Sequence, residues 1–203
     1  MQVTRQRLLL GPGRAVGSRS IVATYAGDAN NAPNSSAPLT QIINPVPGTT
    51  LVNGGFETPA LGNGGYQYQP AVPGWVFNSQ AGIQRNGSAW GAATAPEGQQ
   101  TAFLQGANAQ MAQTLDLPAG TYRVSFDAAR RAYGGGVQPL QLSIDGNAIG
   151  APISPASTAF ARHTSASFTV SAGSHTLRFA TTYDSGDTTT FVDAVTLDAL
   201  AGP

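Results

Sequence analysis

Wherever polar and apolar residues alternate along this chain, they do so with a period of two. In "TYRVSFDA", Tyr122, Val124 and Phe126 share one face, and Arg123, Ser125 and Asp127 the other. "LQLSID" repeats the pattern with Leu140, Leu142 and Ile144, and "HTLRFATT" repeats it with Leu177 and Phe179 opposite Arg178. This is the mark of a half-buried strand, because successive side chains leave a pleated backbone on opposite sides. No stretch combines helical spacing with capping residues. Turn signals separate the runs: "DLPAGT" before Tyr122, "DGN" at Asp145–Asn147, "SAGS" before His175 and "DSGD" at Asp184–Asp187. The Asp-Gly pair is the strongest of these, since a two-residue type I′ hairpin turn needs positive φ at both positions. Roughly nine or ten short strands at this spacing predict an antiparallel sandwich or barrel.

The text differs before Leu51. From Ser20, "SIVATYAGDANNAPNSSAPLTQIIN" holds one β-type run, Ile21–Tyr25, then a Gly/Asp/Asn cluster, then a second run, Leu39–Ile43. Two such strands are marginal alone. The string resembles the last two strands of bacterial immunoglobulin-like repeats of large surface proteins, which makes residues 18–45 a remnant of one repeat. "NPVPGTT" then carries two prolines and a glycine, and residues 46–50 read as a linker. Residues 51–198 read as one domain of ordinary size, followed by a tail at 199–203. Residues 1–17 read as a poorly structured leader or a misassigned start. Their single Leu triplet falls short of the roughly 7 to 15 apolar residues of a secretion signal.

Composition narrows the function. Acids and bases number ten each, the net charge is zero, and charged residues make up 10% of the chain. No basic footprint for nucleic acid or an anionic membrane is present. No apolar run approaches the roughly 18 residues of a membrane span. Cysteine is absent, which excludes disulfides, thiolate metal sites and thiol nucleophiles. Gly (25) and Pro (14) are abundant, but a 41% hydrophobic share supports a core, so they read as turns between strands.

The inventory for catalysis is thin. His163 and His175 sit in or beside predicted strands among Arg, Thr and Ser, with no HExxH or GxSxG string near them. Glu57, Glu97 and eight aspartates offer nominal pairs for glycoside hydrolysis, but no local pattern sets any pair across one cleft. Asp193 stands out. In "TTFVDAVTL" a regular strand would point it the same way as Phe191, Val195 and Leu197. A buried carboxylate needs an arginine, backbone N–H donors or a hard cation such as calcium. The alternative is a bulge that turns Asp193 outward.

The order "LVNGGFETP", "PGWVF", "PEGQQTAFLQG", "LPAGTYRVSFDAARR", "FVDAVTL" resembles the galactose-binding-like jelly-roll domains related to carbohydrate-binding modules. It is similar in particular to the version appended to bacterial secreted and surface proteins, and the resemblance spans residues 51–198. It implies an all-β antiparallel jelly-roll sandwich whose "NGxFE" strand and "DxVxL" strand lie together. It also implies a structural Ca2+ held there by Glu57 and Asp193, with main-chain oxygens near Asn53 or Gly55. Without the metal, Glu57 would accept hydrogen bonds from turn amides.

A sugar site needs aromatic faces for pyranose C–H surfaces and planar polar groups for paired hydroxyls. The 81–100 stretch supplies Arg85, Asn86, Trp90, Glu97 and Gln99, and "DAARRAYGGG" supplies Arg130, Arg131 and Tyr133. The reading is a non-catalytic carbohydrate-binding or adhesive module of a larger bacterial secreted or surface protein. Its expected setting is the cell exterior, and its expected partners are a polysaccharide or surface glycan and the parent's other domains. The rivals are a structural spacer with no glycan ligand and, more remotely, a glycoside hydrolase.

Overall fold

The computed structural model describes residues 17–43, 51–134, 136, 138–182 and 187–200, which divide into two compact units on either side of residues 44–50. The expected linker, and all of the expected leader except Gly17, lie outside the described residues. All regular structure described is strand, and no described helix is long and apolar enough to cross a membrane.

The first unit has four short strands, β1 (Gly17–Ile21), β2 (Thr24–Tyr25), β3 (Asn34–Ser35) and β4 (Leu39–Ile43). β1 pairs antiparallel with β4, and β2 with β3. The expected run at Leu39–Ile43 is thus a strand, whereas the run at Ile21–Tyr25 breaks after Ile21 into strands with different partners. Asp28 ties the turn between β2 and β3. It accepts from the Tyr25 hydroxyl at 2.6 Å, Asn30 N at 2.8 Å and Asn31 Nδ2 at 2.9 Å, and these bonds, Tyr25 foremost, lower its pKa to about 2.

The second unit carries β5 (Tyr66–Tyr68), β6 (Val76–Phe77), β7 (Ala81–Arg85), β8 (Gln100–Gln105), β9 (Gln110–Leu117) and β10 (Gly120–Arg130). It continues with β11 (Leu140–Ile144), β12 (Asn147–Ala148), β13 (Ala161–Thr164), β14 (Phe168–Val170), β15 (Gly173–Thr181) and β16 (Thr189–Leu200). One seven-stranded sheet runs β13-β10-β16-β8-β7-β5, with β14 also on β10, and a five-stranded sheet runs β12-β11-β15-β9-β6. The period-two faces read from sequence meet between them. Val124 and Phe126 of β10 share one buried cluster with Leu177 and Phe179 of β15, and Phe126 meets Phe179 edge to face at 5.1 Å. The Asp-Gly turn behaves as predicted, with φ of 49° at Asp145 and 80° at Gly146.

β16 departs from the regular strand that the sequence suggests. Its register with β10 steps from Ser125↔Thr196 to Asp127↔Asp193, which places an extra residue on β16, and Ala194 there has φ of 48°. This bulge flips the alternation. Val192 and Val195, three apart, both enter the core, while Phe191 joins a separate cluster on the other face of the sheet. Asp193 therefore leaves the phase of Val195 and Leu197 and shares the face of Phe191. It is fully buried all the same, at 0% exposure, so the bulge does not expose it. Arg162 secures the bulge, donating from Nη1 to the Ala194 carbonyl at 2.7 Å and from Nη2 to Thr196 Oγ1 at 3.0 Å.

The stretch expected to open the sandwich as a strand, "NGGFE", is a series of turns. Side-chain amides fasten it where a ladder would. Gln113 accepts from Val52 N at 2.8 Å and donates to Val52 O at 3.0 Å. Gln100 donates to Phe56 O at 2.6 Å and Pro59 O at 3.0 Å and accepts from Leu61 N at 2.5 Å. The segment does lie against the last strand, as the resemblance implied: Val195 N donates to Gly54 O at 3.0 Å.

Candidate functional site

The seven-stranded sheet turns one face toward the core and leaves the other to be covered. On β8, Ala102 and Leu104 enter the core while Phe103 points away from it. Register aligns Tyr68, Gly82, Phe103, Phe191 and Ala129 in one row across β5, β7, β8, β16 and β10. The 86–98 loop folds over this row. Asn86 N donates to Gln99 O and Asn86 Oδ1 accepts from Ala95 N, both at 2.9 Å, and Ser88 Oγ donates to Gln84 Oε1 at 2.6 Å. The loop delivers Trp90, whose ring stacks on Phe103 at 4.2 Å and 30°. With 6% exposure Trp90 is not an open platform: Phe103 and the Arg131 guanidinium, 4.5 Å from the ring centroid, leave it no free face.

The open aromatics around it are tyrosines. Tyr66 (51% exposed), Tyr68 (38%) and Tyr133 (73%) stand beside Trp90 or Arg131. A cleft of about 240 Å³ lies between Tyr66, Tyr68, Trp90, Gln105, Arg131 and Asp187. It adjoins a more open depression of about 510 Å³ that shares Tyr68, Gln105 and Asp187 and reaches Ser79 and Gln80. One polar chain threads the floor. The Tyr68 hydroxyl donates to Gln105 Oε1, Gln105 Nε2 donates to Asp187 Oδ1 at 2.6 Å, and Arg131 Nη1 reaches Asp187 Oδ2 at 3.4 Å. Burial, then the charge of Asp187, raises the Tyr68 pKa, so the phenol stays protonated as a donor. Gly134, at φ of 92°, brings the 131–134 turn against the Asp187 carbonyl, where a Cβ would overlap it.

The other residues expected to hold sugar lie apart from this cleft. Arg85 donates to Leu61 O at 2.7 Å and to the Gln99 side chain, and with Asn86 it scaffolds the loop base. Arg130 Nε donates to Ala156 O at 3.4 Å. Glu97 sits by Asp193: its backbone N–H donates to Asp193 Oδ2 at 3.0 Å, and its carboxylate carbon is 2.8 Å from where a Gly55 Cβ would stand. Sequence reasoning missed Tyr66, Tyr68, Gln105 and Asp187. The signal within reach was "YQY", an i, i+2 tyrosine pair between Gly and Pro, which presents two aromatics on one face of an edge strand.

At the opposite flank of that face the acids Glu57, Glu97 and Asp193 come near one another. Glu57 Oε1 accepts from Gln99 N at 2.8 Å and Gln100 N at 2.7 Å, backbone amides of the turn into β8. Asp193 Oδ1 accepts from Ala194 N at 2.7 Å. Burial pushes the Asp193 pKa up to about 7, with the two N–H donors opposing and the charges of Glu97 and Glu57 reinforcing. The Asn53 side-chain amide donates to Thr58 O at 2.6 Å, and the Asn53 main-chain carbonyl accepts from Trp75 Nε1 at 3.1 Å. Among the described residues no group of three or more His, Cys, Asp or Glu is disposed to hold a metal ion as placed. The donor set is nonetheless all oxygen, which suits a hard cation and no thiophilic one.

Neither histidine enters the cleft. His163 stacks on Phe126 at 5.8 Å, and burial lowers its pKa. His175 Nδ1 pairs with Asp145 Oδ2 at 2.6 Å and Nε2 with Ser171 O at 2.9 Å.

No protein-family model and no curated protein matches this chain. Solved structures do. A CBM61 module in complex with β-1,4-galactotriose superposes with a TM-score of 0.51 and 17% identity, covering 74% of this chain and 98% of that one. The fold is an antiparallel jelly-roll sandwich like that module's. The CBM22-1 xylan-binding domain of Paenibacillus barcinonensis Xyn10C agrees, with a TM-score of 0.52, 13% identity, and coverage of 77% and 97%. At these identities the likeness establishes the jelly-roll sandwich that the sequence implied, and the chemistry must come from this chain's own residues.

Proposed function

We propose that this chain is a non-catalytic carbohydrate-binding module and that its sugar seat is the cleft between Tyr66, Tyr68, Gln105, Arg131 and Asp187. The observation that carries this is the convergence of two exposed tyrosines, Tyr66 and Tyr68, on one polar-floored cleft, with a third, Tyr133, against its Arg131. Aromatic rims with a few fixed polar groups are the physical demand of a sugar site. Support also comes from the fold, shared with modules solved with β-1,4-galactotriose or named as xylan-binding. A hydrolase would use two carboxylates about 5 to 10 Å apart. Asp187 is the one acid lining this cleft among the described residues, and it is engaged by Gln105 and Arg131. The setting that fits such a ligand is extracellular or at a cell surface, with the chain acting beside other domains of a parent protein.

The test is affinity electrophoresis and calorimetry against galactan, xylan and a broad glycan panel. Retention that Tyr68→Ala and Tyr66→Ala abolish, with melting temperature nearly unchanged, supports the reading. Silence of the wild-type chain on every glycan favours the spacer.

A second reading concerns calcium. Glu57, Glu97 and Asp193 with main-chain oxygens near Asn53 or Gly55 would hold a structural Ca2+, which would supply positive charge between three acids and perform no chemistry on the ligand. The glycine at position 55, where any side chain would meet the Glu97 carboxylate, supports it. Calcium should raise the melting temperature of chelator-treated protein, and Asp193→Asn should remove that response. No calcium-dependent shift in the wild type would end this reading.

A further inference from the structure

Trp90 is covered by a group that is easily removed. Phe103 fills one face of the indole; over the ring on its remaining side lies the Arg131 guanidinium, which also sits 5.4 Å from the Tyr133 ring. The side-chain polar restraints on Arg131 are one hydrogen bond from Nε to Trp90 O at 3.2 Å and a long ion pair from Nη1 to Asp187, at 3.5 and 3.4 Å from its two oxygens. Arg131 is itself mostly covered, and what makes the pair weak is its length, at the outer limit of a hydrogen bond. Asp187 would not be stranded by its departure, because Gln105 Nε2 holds it at 2.6 Å. Beneath the guanidinium, Trp90 Nε1 is buried with no acceptor among the described residues. A buried donor without a partner costs free energy, and it marks a place where an acceptor belongs.

We infer that Arg131 is a displaceable occupant of the sugar seat, and that a neutral pyranose exchanges with its guanidinium on Trp90. The sugar's C–H face takes the ring surface that the guanidinium leaves, Tyr133 borders the seat, and a sugar hydroxyl oxygen accepts from Trp90 Nε1. Arg131 then sets specificity, because only a ligand that stacks better than a guanidinium gains entry. The inference rests on the cleft being the sugar site. A planar, weakly hydrated cation and a pyranose are fair rivals for one aromatic face.

Arg131→Met keeps the aliphatic stem and removes the charge. Acrylamide quenching of tryptophan fluorescence should rise, with Trp75 remaining as the core reference. Affinity for xylo- or galacto-oligosaccharides should tighten about 5- to 30-fold, the equilibrium equivalent of one largely desolvated cation–π contact. On titration the Trp90 indole N–H resonance should move, while that of Trp75, already bonded to Asn53 O, stays. Asp187→Asn, which loosens Arg131 without deleting it, should act in the same direction and more weakly, and it serves if the first variant fails to fold. Binding that Arg131→Met weakens as severely as Tyr68→Ala does overturns the inference while leaving the sugar site standing, since Arg131 would then be a direct contact. Unchanged quenching in both variants overturns it too. No binding by wild type or either variant removes the sugar site and the inference together.

Discussion

Gly82 controls whether the two tyrosines of β5 can stand where they do. A Cβ at that position would lie 2.7 Å from Phe103 Cζ and closer still to the Gln67 carbonyl oxygen. Neither neighbour can yield cheaply. Gln67 O belongs to the β5 backbone, and the Phe103 ring is held by Trp90 at 4.2 Å and Tyr68 at 4.9 Å. Relaxed carbon contacts begin near 3.5 Å, so in Gly82→Ala the edge strand must retreat by on the order of 1 Å. Overpacking of this kind costs about 1–3 kcal/mol, and the retreat also weakens the pairing of Tyr66, Gln67 and Tyr68 with β7. A total of about 2–4 kcal/mol would lower a urea midpoint by roughly 1–2 M at an m value near 2 kcal/mol/M. The assay is urea unfolding followed by tryptophan fluorescence, with near-ultraviolet circular dichroism reporting the tyrosine environment. Gly62→Ala is the control, because its added Cβ meets nothing within 4 Å. If Gly82→Ala unfolds within about 0.5 kcal/mol of that control, the scatter of a neutral surface change, the argument that this glycine seats the tyrosine strand is wrong.

Two further outcomes follow from buried or paired polar groups. The His175–Asp145 pair raises the His175 pKa and lowers that of Asp145, each mainly through their shared hydrogen bond. A raised histidine adds stability that is full below its unfolded value near 6.5 and is lost as pH climbs through its folded value, while a lowered aspartate adds stability lost as pH falls below about 4. The pair therefore helps most from about pH 4 to 6.5, and calorimetric melting from pH 5 to 9 should show a decline above 6.5 that Asp145→Asn flattens; equal profiles would disprove it. Gln100→Ala strands three buried or half-buried backbone groups of the 56–61 turns and should cost about 1–3 kcal/mol in chemical denaturation, whereas a loss near zero would mean water replaces the amide.

Strands whose local alternation matched their burial were legible. β10, β11 and β15 follow the period read in "TYRVSFDA", "LQLSID" and "HTLRFATT", and the Asp-Gly turn lies where its chemistry demands. The bulge in β16 was legible only as an alternative, and with Asp193 turned outward instead of buried, because no residue type compels it. Ala194 is an ordinary alanine in positive φ, and the shift is held by Arg162 from a strand more than thirty residues away. The same distance explains the site. Trp90, Arg131 and Tyr133 were candidates because each sits in or beside a polar, glycine-rich loop. Tyr66, Gln105 and Asp187 become neighbours only when β5, β7, β8 and the residues leading into β16 assemble in one sheet, and no local pattern encodes that. The aromatics around the cleft come from three separate stretches of the chain.

The fastening of residues 51–65 by Gln113, Gln100 and Glu57 has a mechanical consequence. A ladder loaded along its strands resists in shear, with many backbone bonds breaking together. This leading segment is instead moored at separate points, by single side chains and by lone backbone bonds such as that from Val195 N to Gly54 O. Tension arriving from the chain ahead of Leu51 would meet those moorings one after another, so the segment should peel at low force before β16 or β10 slides. In a domain pulled between its neighbours, these moorings would serve as a fuse: they would give slack early and leave the sandwich, with its tyrosine cleft, intact.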